Sequence, residues 1–407
     1  MRAQILEGVK VLDLTRVIAG PLCTQVLADM GATVYKIERP GEGDDTRRMG
    51  PFLPDAPGGA PSNDSALYLA YNRGKQSITL DISTPEGSAI ARELAARCDV
   101  VVENYKVGTL AKYGLDYATL REHKPGIVYC SLTGFGQDGP YAQRPAYDFI
   151  LQGLAGVMST CGHPEGAPGG EPMRTAIPIT DIITGLYAAI AIMGALFHQR
   201  QTGVGQHVDA SMLDASVAMN GHLALGYLMT GKPPPRVGNT NPIASPSEVF
   251  ACADGRMILA AGNNAQFQAM CRVLDRPDLA QRPAFATNAS RVANRGELRE
   301  ALAPLLSGRK RGDLLAAFEA ANVPAGPINN MEQVFQDPQT LHRELALSLP
   351  HGRGPNAPSL RSPLCFSETP VQYRGVPMLG EHSGNVLKQE LGMNDEKLAT
   401  LRERGII

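Results

Sequence analysis

The chain has 407 residues, 43% of them hydrophobic, which is enough for a large core and, at the usual ~100–200 residues per domain, for about two to three domains. Charged residues make up 19%, and 38 basic side chains against 40 acidic ones leave a formal net charge of -2, so no whole-protein field favours nucleic acid or an acidic membrane. Any anionic ligand has to be held by local basic groups.

The N-terminal "MRAQILEGVKVLDLTR" runs into a strand pattern without the apolar core and small-residue cleavage site of a signal peptide. "VKVLDL" reads as a strand, "GPLCTQVLADMG" as a helix with Pro21 near its first turn and Gly31 past its end, and "ATVYKIE" as the next strand. The βαβ pattern recurs. "SITLDI" is followed by Ser83 and Glu86 at capping-box spacing, then by the helix "EGSAIARELAARC" and the strand "DVVVENY". A helix near "DYATLREHKP" leads to the strand "GIVYCSL". Such alternation predicts an α/β fold with a doubly wound, mostly parallel, Rossmann-like sheet, whose ligand lies at the carboxyl ends of the strands.

Helical patterns then cover Tyr147 to Thr160, Asp181 to Arg200 and Ser211 to Thr230, and "GKPPPRVGNTNPIASP" forms a break. Beyond it, "SEVFACADGRMILAAG" reads as a β-hairpin turning at Asp254-Gly255, with helices after it, which suits a smaller α+β domain. The turn-rich "HGRGPNAPSLRSP" leads to the charged terminal helix "DEKLATLRERG". The expected domains are 1–230, a large α/β domain, and 231–335, a small one, with 336–407 returning to the large domain. The apolar run from Ile182 to Phe197 falls short of the ~20 residues that a membrane span needs, so a cytoplasmic protein without membrane contact is expected.

Several familiar sites are absent from the pattern. "GFGQDG", Gly134 to Gly139, satisfies G-x-G-x-x-G after a strand, but the two prolines of the following "PYAQRP" oppose the helix that a dinucleotide site requires. The seven cysteines are scattered and never spaced as CxxC, and no histidines pair at ligand spacing, so neither a disulfide framework nor a metal site is expected. No G-x-S-x-G elbow occurs.

In "IPITDIITGLYAAI", Asp181 stands alone at the head of an apolar helical run. A carboxylate in a first helical turn can serve structure alone, accepting backbone N–H bonds and facing the macrodipole for ~0.5–2 kcal/mol. Thr180 could cap the helix instead. A reactive carboxylate would occupy the same place, and the fragment by itself leaves both readings open.

Its surroundings favour reactivity. "GVKVLDLTRVIAGPLCTQVLADMGATVYKIERPGEGDDTR", "YLAYNRGKQSITLDI", "DVVVENYKVGTL", "RPAYDFILQGLAGVMSTCG", "PITDIITGLYAA" and "QTGVGQHVDASMLDA" stand in the order they take in class III CoA-transferases. The chain resembles that family, which holds formyl-CoA and carnitine CoA-transferases and the α-methylacyl-CoA racemases. "AAGNNAQF" and "GPINNMEQVF" are similar to its succinyl-CoA:glutarate branch. The resemblance implies that Asp181 is a nucleophile that carries CoA as an aspartyl thioester, with CoA as substrate and no permanently bound cofactor. It further implies CoA contacts at Val17, Arg39, Asn104, Lys112 and Tyr113, with Arg16 and Lys75 as additional candidates.

Ile18 replaces a glutamine of the formyl-CoA transferases, and "AAGNN" a longer glycine-rich loop, which argues against formyl-CoA and oxalate. The resemblance suggests succinyl-CoA as donor and glutarate, malate, itaconate or 3-sulfinopropionate as acceptor. A second acceptor anion needs a fixed cation, and Arg47 and Arg174 are the candidates. Tyr147 stands where the racemases carry a catalytic histidine, and a phenol with a pKa near ~10 is a poor base, so racemisation is the alternative the residues disfavour. A silent CoA-binding protein is the other alternative. Family resemblance implies an interlocked homodimer, with residues 231–246 and 351–363 as crossing segments.

Overall fold

The computed structural model describes residues 3–54, 64–352, 354 and 356–407, so part of the 351–363 segment lies outside the described residues. In chain order come Lys10–Leu14 (β1), Ala19–Asp29 (α1), Thr33–Glu38 (β2), Ala66–Tyr71 (α2), Gln76–Thr79 (β3), Pro85–Arg97 (α3), Val100–Glu103 (β4), Tyr117–His123 (α4) and Val128–Thr133 (β5). Asp148–Leu154 (α5), Val157–Thr160 (α6), Ile179–Thr202 (α7), His207–Ser211 (β6), Met212–Met219 (α8) and Gly221–Thr230 (α9) follow.

The strands β1 to β6 form one parallel sheet in the order β3-β2-β1-β4-β5-β6. This is a doubly wound order, in which the chain reverses direction across the sheet between β1 and β4. Both faces are covered, as parallel sheets require, so β4 reads as an unbroken buried run, VVVE. Leu12 and Leu14 pack on one face with Ile90 and Leu94 of α3, while Val9 and Val11 pack on the other with Cys23 and Leu27 of α1 and Ala188 and Ile192 of α7.

Local chemistry moved several expected boundaries. The cap of α3 is Thr84, whose hydroxyl accepts from Gly87 N, with Pro85 in the first turn; Ser83 instead donates its hydroxyl to Asp81. The helix expected over 147–160 is two pieces separated at Gly156, where φ is +83°. Strand β6 was not foreseen, because an edge strand that alternates exposed and half-buried residues, HVDAS, carries little apolar signal. Helix α7 has 24 residues and is long and apolar enough, by length and composition, to cross a membrane. The apolar run of the sequence undercounted it because Thr180 and Asp181 at its start and His198 to Thr202 at its end also take helical turns. One face of α7 lies in the core, and Ile190 and Phe197 on the other are 64% and 67% exposed.

The chain forms two compact units, Met1–Val157 with Arg174–Gly231 and Leu341–Ile407, and Met158–Met173 with Lys232–Thr340. The segment Met158–Met173, read from the sequence as part of the large domain, belongs to the second unit because polar bonds hold it there. The Arg236 guanidinium donates to the carbonyls of His163 (3.2 Å) and Gly170 (2.8 Å), and Gly238 N donates to Gly162 O (3.0 Å). In the first unit, Val386, Leu387, Leu398 and Leu401 of the C-terminal segment join the core beside α3.

The second unit carries Ser247–Cys252 (β7), Gly255–Ala260 (β8) and Ala325–Pro327 (β9) in an antiparallel sheet. Its largest fully buried side chain among the described residues is Arg291, which has no carboxylate partner among the described hydrogen bonds and instead donates to Ser245 O (2.7 Å), Phe285 O (2.9 Å), Gly262 O (2.6 Å) and Asn264 Oδ1 (3.1 Å). Four acceptors thus share one cation. Arg291→Met should therefore destabilise this unit by ~3 kcal/mol or more, because the carbonyls of buried Ser245 and Phe285 lose their donor. Urea denaturation followed by a probe in residues 232–340 measures this, and a loss below ~1 kcal/mol would count against the network.

Candidate active site

At the β1/β4 reversal, the loops that leave the two strands are tied to each other. Arg16 N donates to Asn104 Oδ1 (2.9 Å), and Asn104 Nδ2 donates to Arg16 O (2.7 Å). Between them Val17 takes φ +70°, a left-handed conformation costly for a β-branched residue. Buried charges hold it there. Lys36 Nζ donates to Thr15 O (3.0 Å) and to Asp44 Oδ2 (2.9 Å), and Asp44 Oδ1 accepts from Val17 N (3.3 Å). Burial raises the Asp44 carboxyl, but Lys36 and the Thr46 donors outweigh it and hold the group near 2.

Asp13, fully buried at the end of β1, accepts from Thr15 N and Oγ1, from Thr24 Oγ1 and from Lys75 Nζ (3.0 Å). Burial pushes this carboxyl up, and Lys75 and Lys36 more than offset it, leaving it below the usual range.

The resulting loop opens onto a cavity of about 400 Å³ lined by Arg16, Val17, Asn104, Arg144, Tyr147 and Asp181 among others. Asp181 occupies the first turn of α7, where the backbone N–H of Ala19, the first residue of α1, favours its ionised form. This contact requires close helix packing, which Gly185, one turn further on, permits: a Cβ there would stand 2.5 Å from Ala19 O. Burial, then the neighbouring charge of Asp148, raises the Asp181 carboxyl to about 7, and the Ala19 N–H only partly counters them. A second hollow of about 240 Å³, sharing Arg16, Asp45 and Tyr105 with the first, contains Arg39 and Tyr113.

The sequence candidates divide accordingly. Val17, Asn104, Arg16, Tyr147 and Asp181 share the cavity, while Arg39, exposed and 3.2 Å from Glu42, and Tyr113 line the adjoining hollow. Lys112 is exposed on the Leu110–Tyr113 turn and lines neither. Lys75 is corrected: its ammonium is fully buried and bonded to Asp13, Pro21 O and Asn72, so it supports the loop from behind and offers no phosphate a free donor. Arg47 is corrected likewise. It grips Glu38 through Nε and Nη2 (both 2.8 Å), donates to Tyr68 OH (2.6 Å) and is buried away from the cavity. Arg174 is exposed, 5.1 Å from the Phe149 ring.

Lys106, Arg144 and Asp148 were missed. Lys106 and Arg144 line the cavity, and the Arg144 guanidinium lies 3.7 Å from the Tyr141 ring centroid. "NYKVG" and "AQRPAYD" already placed them beside singled-out residues, but adjacency to Asn104 and Tyr147 was the one available signal.

A carboxyl whose pKa is raised toward 7, a helix N-terminus beside it and cationic walls suit an anionic substrate. The sequence profile of CoA-transferase family III matches residues 6–383. The chain is 46% identical over 386 residues to a succinate–glutarate CoA-transferase of Agrobacterium fabrum, covering 94% of this chain and 95% of that one. It is 41% identical over 407 residues to the succinyl-CoA:glutarate CoA-transferase of Homo sapiens, covering 99% and 90%. A CAIB/BAIF family protein from Brucella suis has the same fold, with a TM-score of 0.85 at 42% identity over 96% of this chain and 100% of that one. The chain belongs to CoA-transferase family III and is an enzyme of that class.

Two outcomes follow from the geometry. Gly185→Ala gains ~1 kcal/mol of helix propensity but forces its methyl against the Ala19 carbonyl, an overpacking cost of ~1–3 kcal/mol that parts α1 from α7. CoA-transfer activity should fall by ~tenfold or more with little gain in stability, and a variant at native rate would sever the contact from function. For Asp181 the sign is set by a folded-state pKa of about 7 against an ordinary 3.8. The ionised form is disfavoured by folding, so the penalty is absent below pH ~4, grows as pH rises and is complete above ~7. Asp181→Asn should melt higher than the native enzyme at pH 8 and equally at pH 3.5; a gap that widens on acidification contradicts the raised pKa.

Proposed function

We propose that this enzyme moves CoA from succinyl-CoA to a short dicarboxylate or its sulfinate analogue, through a covalent thioester between Asp181 and CoA. The observation that carries the reading is the place of Asp181, in the wall of a cation-lined cavity with a helix N–H on its carboxylate. The named activities of the Agrobacterium and human relatives support the donor and acceptor classes.

The Asp181 carboxylate attacks the donor thioester carbonyl, the C–S bond breaks, and a mixed anhydride forms as CoA thiolate leaves. The thiolate attacks the aspartyl carbonyl and expels succinate, leaving Asp181 as the CoA thioester. An acceptor carboxylate then attacks that thioester, and the released thiolate takes the acceptor acyl group, returning Asp181 as carboxylate. Each tetrahedral species places negative charge on oxygen, where the Ala19 N–H at the start of α1 can stabilise it.

CoA is a substrate that comes and goes. Its diphosphate and 3′-phosphate suit Arg16, Lys106 and Arg39, with Lys112 exposed nearby in sequence, and its adenine suits the hollow that Tyr105 and Tyr113 flank. For the acceptor's distal anion, Arg144 shares the cavity with Asp181, while Arg174 is exposed beside the Phe149 ring. Among the described residues no histidine lines the cavity, and Tyr147 is 69% exposed, which supports acyl transfer over α-proton transfer.

We assign a cytoplasmic homodimer, interlocked as the family resemblance implies. The exposed apolar side chains of α7 and α9, among them Phe197 at 67%, Leu228 at 75% and Met229 at 83%, support a second copy of the chain as their cover.

The decisive experiment mixes enzyme with succinyl-CoA and traps with hydroxylamine, which should mark the peptide containing Asp181, whereas Asp181→Asn should neither trap nor turn over. Succinate and glutarate should exceed butyrate in kcat/KM by ~100-fold, and Arg144→Met should narrow that gap by losing the dianion selectively. Label on another carboxylate, or equal rates with monocarboxylates, would refute the corresponding half of the proposal.

A further inference from the structure

Helix α7 starts on Pro178, which has no side chain able to accept a hydrogen bond, and no side-chain cap of its own is formed. Yet its first turn holds Asp181, so its exposed N–H groups must find acceptors elsewhere. Asp148, in the first turn of α5, supplies one. Its Oδ1 accepts from Thr180 N (2.9 Å) and from Thr180 Oγ1 (2.7 Å), and its Oδ2 accepts from Gln152 Nε2 (2.7 Å). Gln152 passes the connection on, because its Oε1 accepts from Thr175 N (2.9 Å) at the other end of the segment leading into α7. Thr180 and Gln152 are both fully buried.

Every group that faces Asp148 in this set is a donor. An amide in its place would turn an NH₂ toward Gln152 Nε2 or Thr180, so the site calls for a carboxylate, although a second reacting carboxylate stands one residue from Thr180. That requirement gives Asp148 two effects on its neighbour: it fixes the turn on which Asp181 sits, and it places a like charge beside it. The second effect opposes ionisation of Asp181 and is consistent with the raised carboxyl there.

We propose that Asp148 is a positioning residue for Asp181: it caps α7 from α5, holds the first turn of α7 in register with the Ala19 N–H, and tunes the ionisation of the reacting carboxylate by its charge. The inference rests on Asp181 as the group that attacks the thioester. From α1 the Ala19 N–H faces Asp181; from α2 it interacts with Tyr71, whose phenol is raised by burial and then by the Asp181 charge. The charged groups that line the cavity with it are Arg16, Asp45, Lys106 and Arg144, all unaltered in the test below.

The test compares Asp148→Asn, Asp148→Glu and Thr180→Val in the full-length enzyme, each checked for folded content by circular dichroism. Removing the like charge lowers the Asp181 pKa, so the attacking anion persists to lower pH. For Asp148→Asn the acid limb of kcat/KM should move down by ~0.5–1 pH unit, kcat at pH 8 should fall by ~tenfold, and KM for succinyl-CoA should stay within ~threefold. Asp148→Glu keeps the charge and should keep the native acid limb. Thr180→Val loses one hydrogen bond and no charge, so its kcat should fall without a shift of the limb.

A readout free of turnover accompanies these. The rate at which a water-soluble carbodiimide modifies the Asp181 peptide, followed by mass spectrometry, reports the protonated carboxyl, and its pH profile should move down in Asp148→Asn. Native kcat with a native acid limb in Asp148→Asn, or a loss proportional to unfolded protein alone, overturns the proposal. If Asp148→Asn does not fold, a native kcat in Thr180→Val overturns it. If the native enzyme moves CoA to no dicarboxylate, the proposed function fails, and the carbodiimide profile still decides the role of Asp148.

Discussion

The site depends on how closely two helices approach. The first turn of α7 reaches the first residue of α1 because Gly185 has no side chain to hold them apart, and that approach lets the Ala19 N–H favour the Asp181 carboxylate. The approach orients the carboxylate, desolvates it and places a partial positive charge beside it. Position, desolvation and electrostatic stabilisation therefore have one origin, and α1 is fixed in turn by β1, from which it rises through the Thr15–Ile18 loop.

That loop is unfavourable in isolation, with a valine at φ +70°. It is held by charges that a surface view of the protein does not show. Lys36 with Asp44 and Lys75 with Asp13 are fully or almost fully buried pairs, each ion satisfied by further hydrogen bonds, as burial of charge requires. Glu38 and Arg47 extend the same arrangement around Tyr68. Removing one member would leave an uncompensated ion in the core, so these groups fix the geometry of a site that they do not themselves line.

Asp181 illustrates the opposing demands of stability and chemistry. Burial and the neighbouring Asp148 raise its carboxyl to about 7, and the same shielding would protect the acyl-aspartyl intermediate proposed above from hydrolysis. The fold tolerates the strain because α1, α5 and the sheet over-determine the start of α7.

The sequence by itself determined the alternating β and α elements, since each strand's apolar run and each helix's period are local properties, and it singled out Asp181 as a candidate through its isolation in an apolar stretch and the motifs around it. It was legible enough to place Val17, Arg16 and Asn104 at the carboxyl ends of β1 and β4. It could not sort Lys75 and Arg47 from Arg16 and Arg39, because a cation's letter is the same whether its partner is water or a carboxylate brought from a distant strand. Nor could it find Asp148 as the cap of α7, since the donor and acceptor lie 32 residues apart and meet only after α5 and α7 pack. The tertiary structure alone decided these matters: partnership, burial and the raised carboxyl all arise from distances between elements, which pairing across the sheet and packing on its faces set.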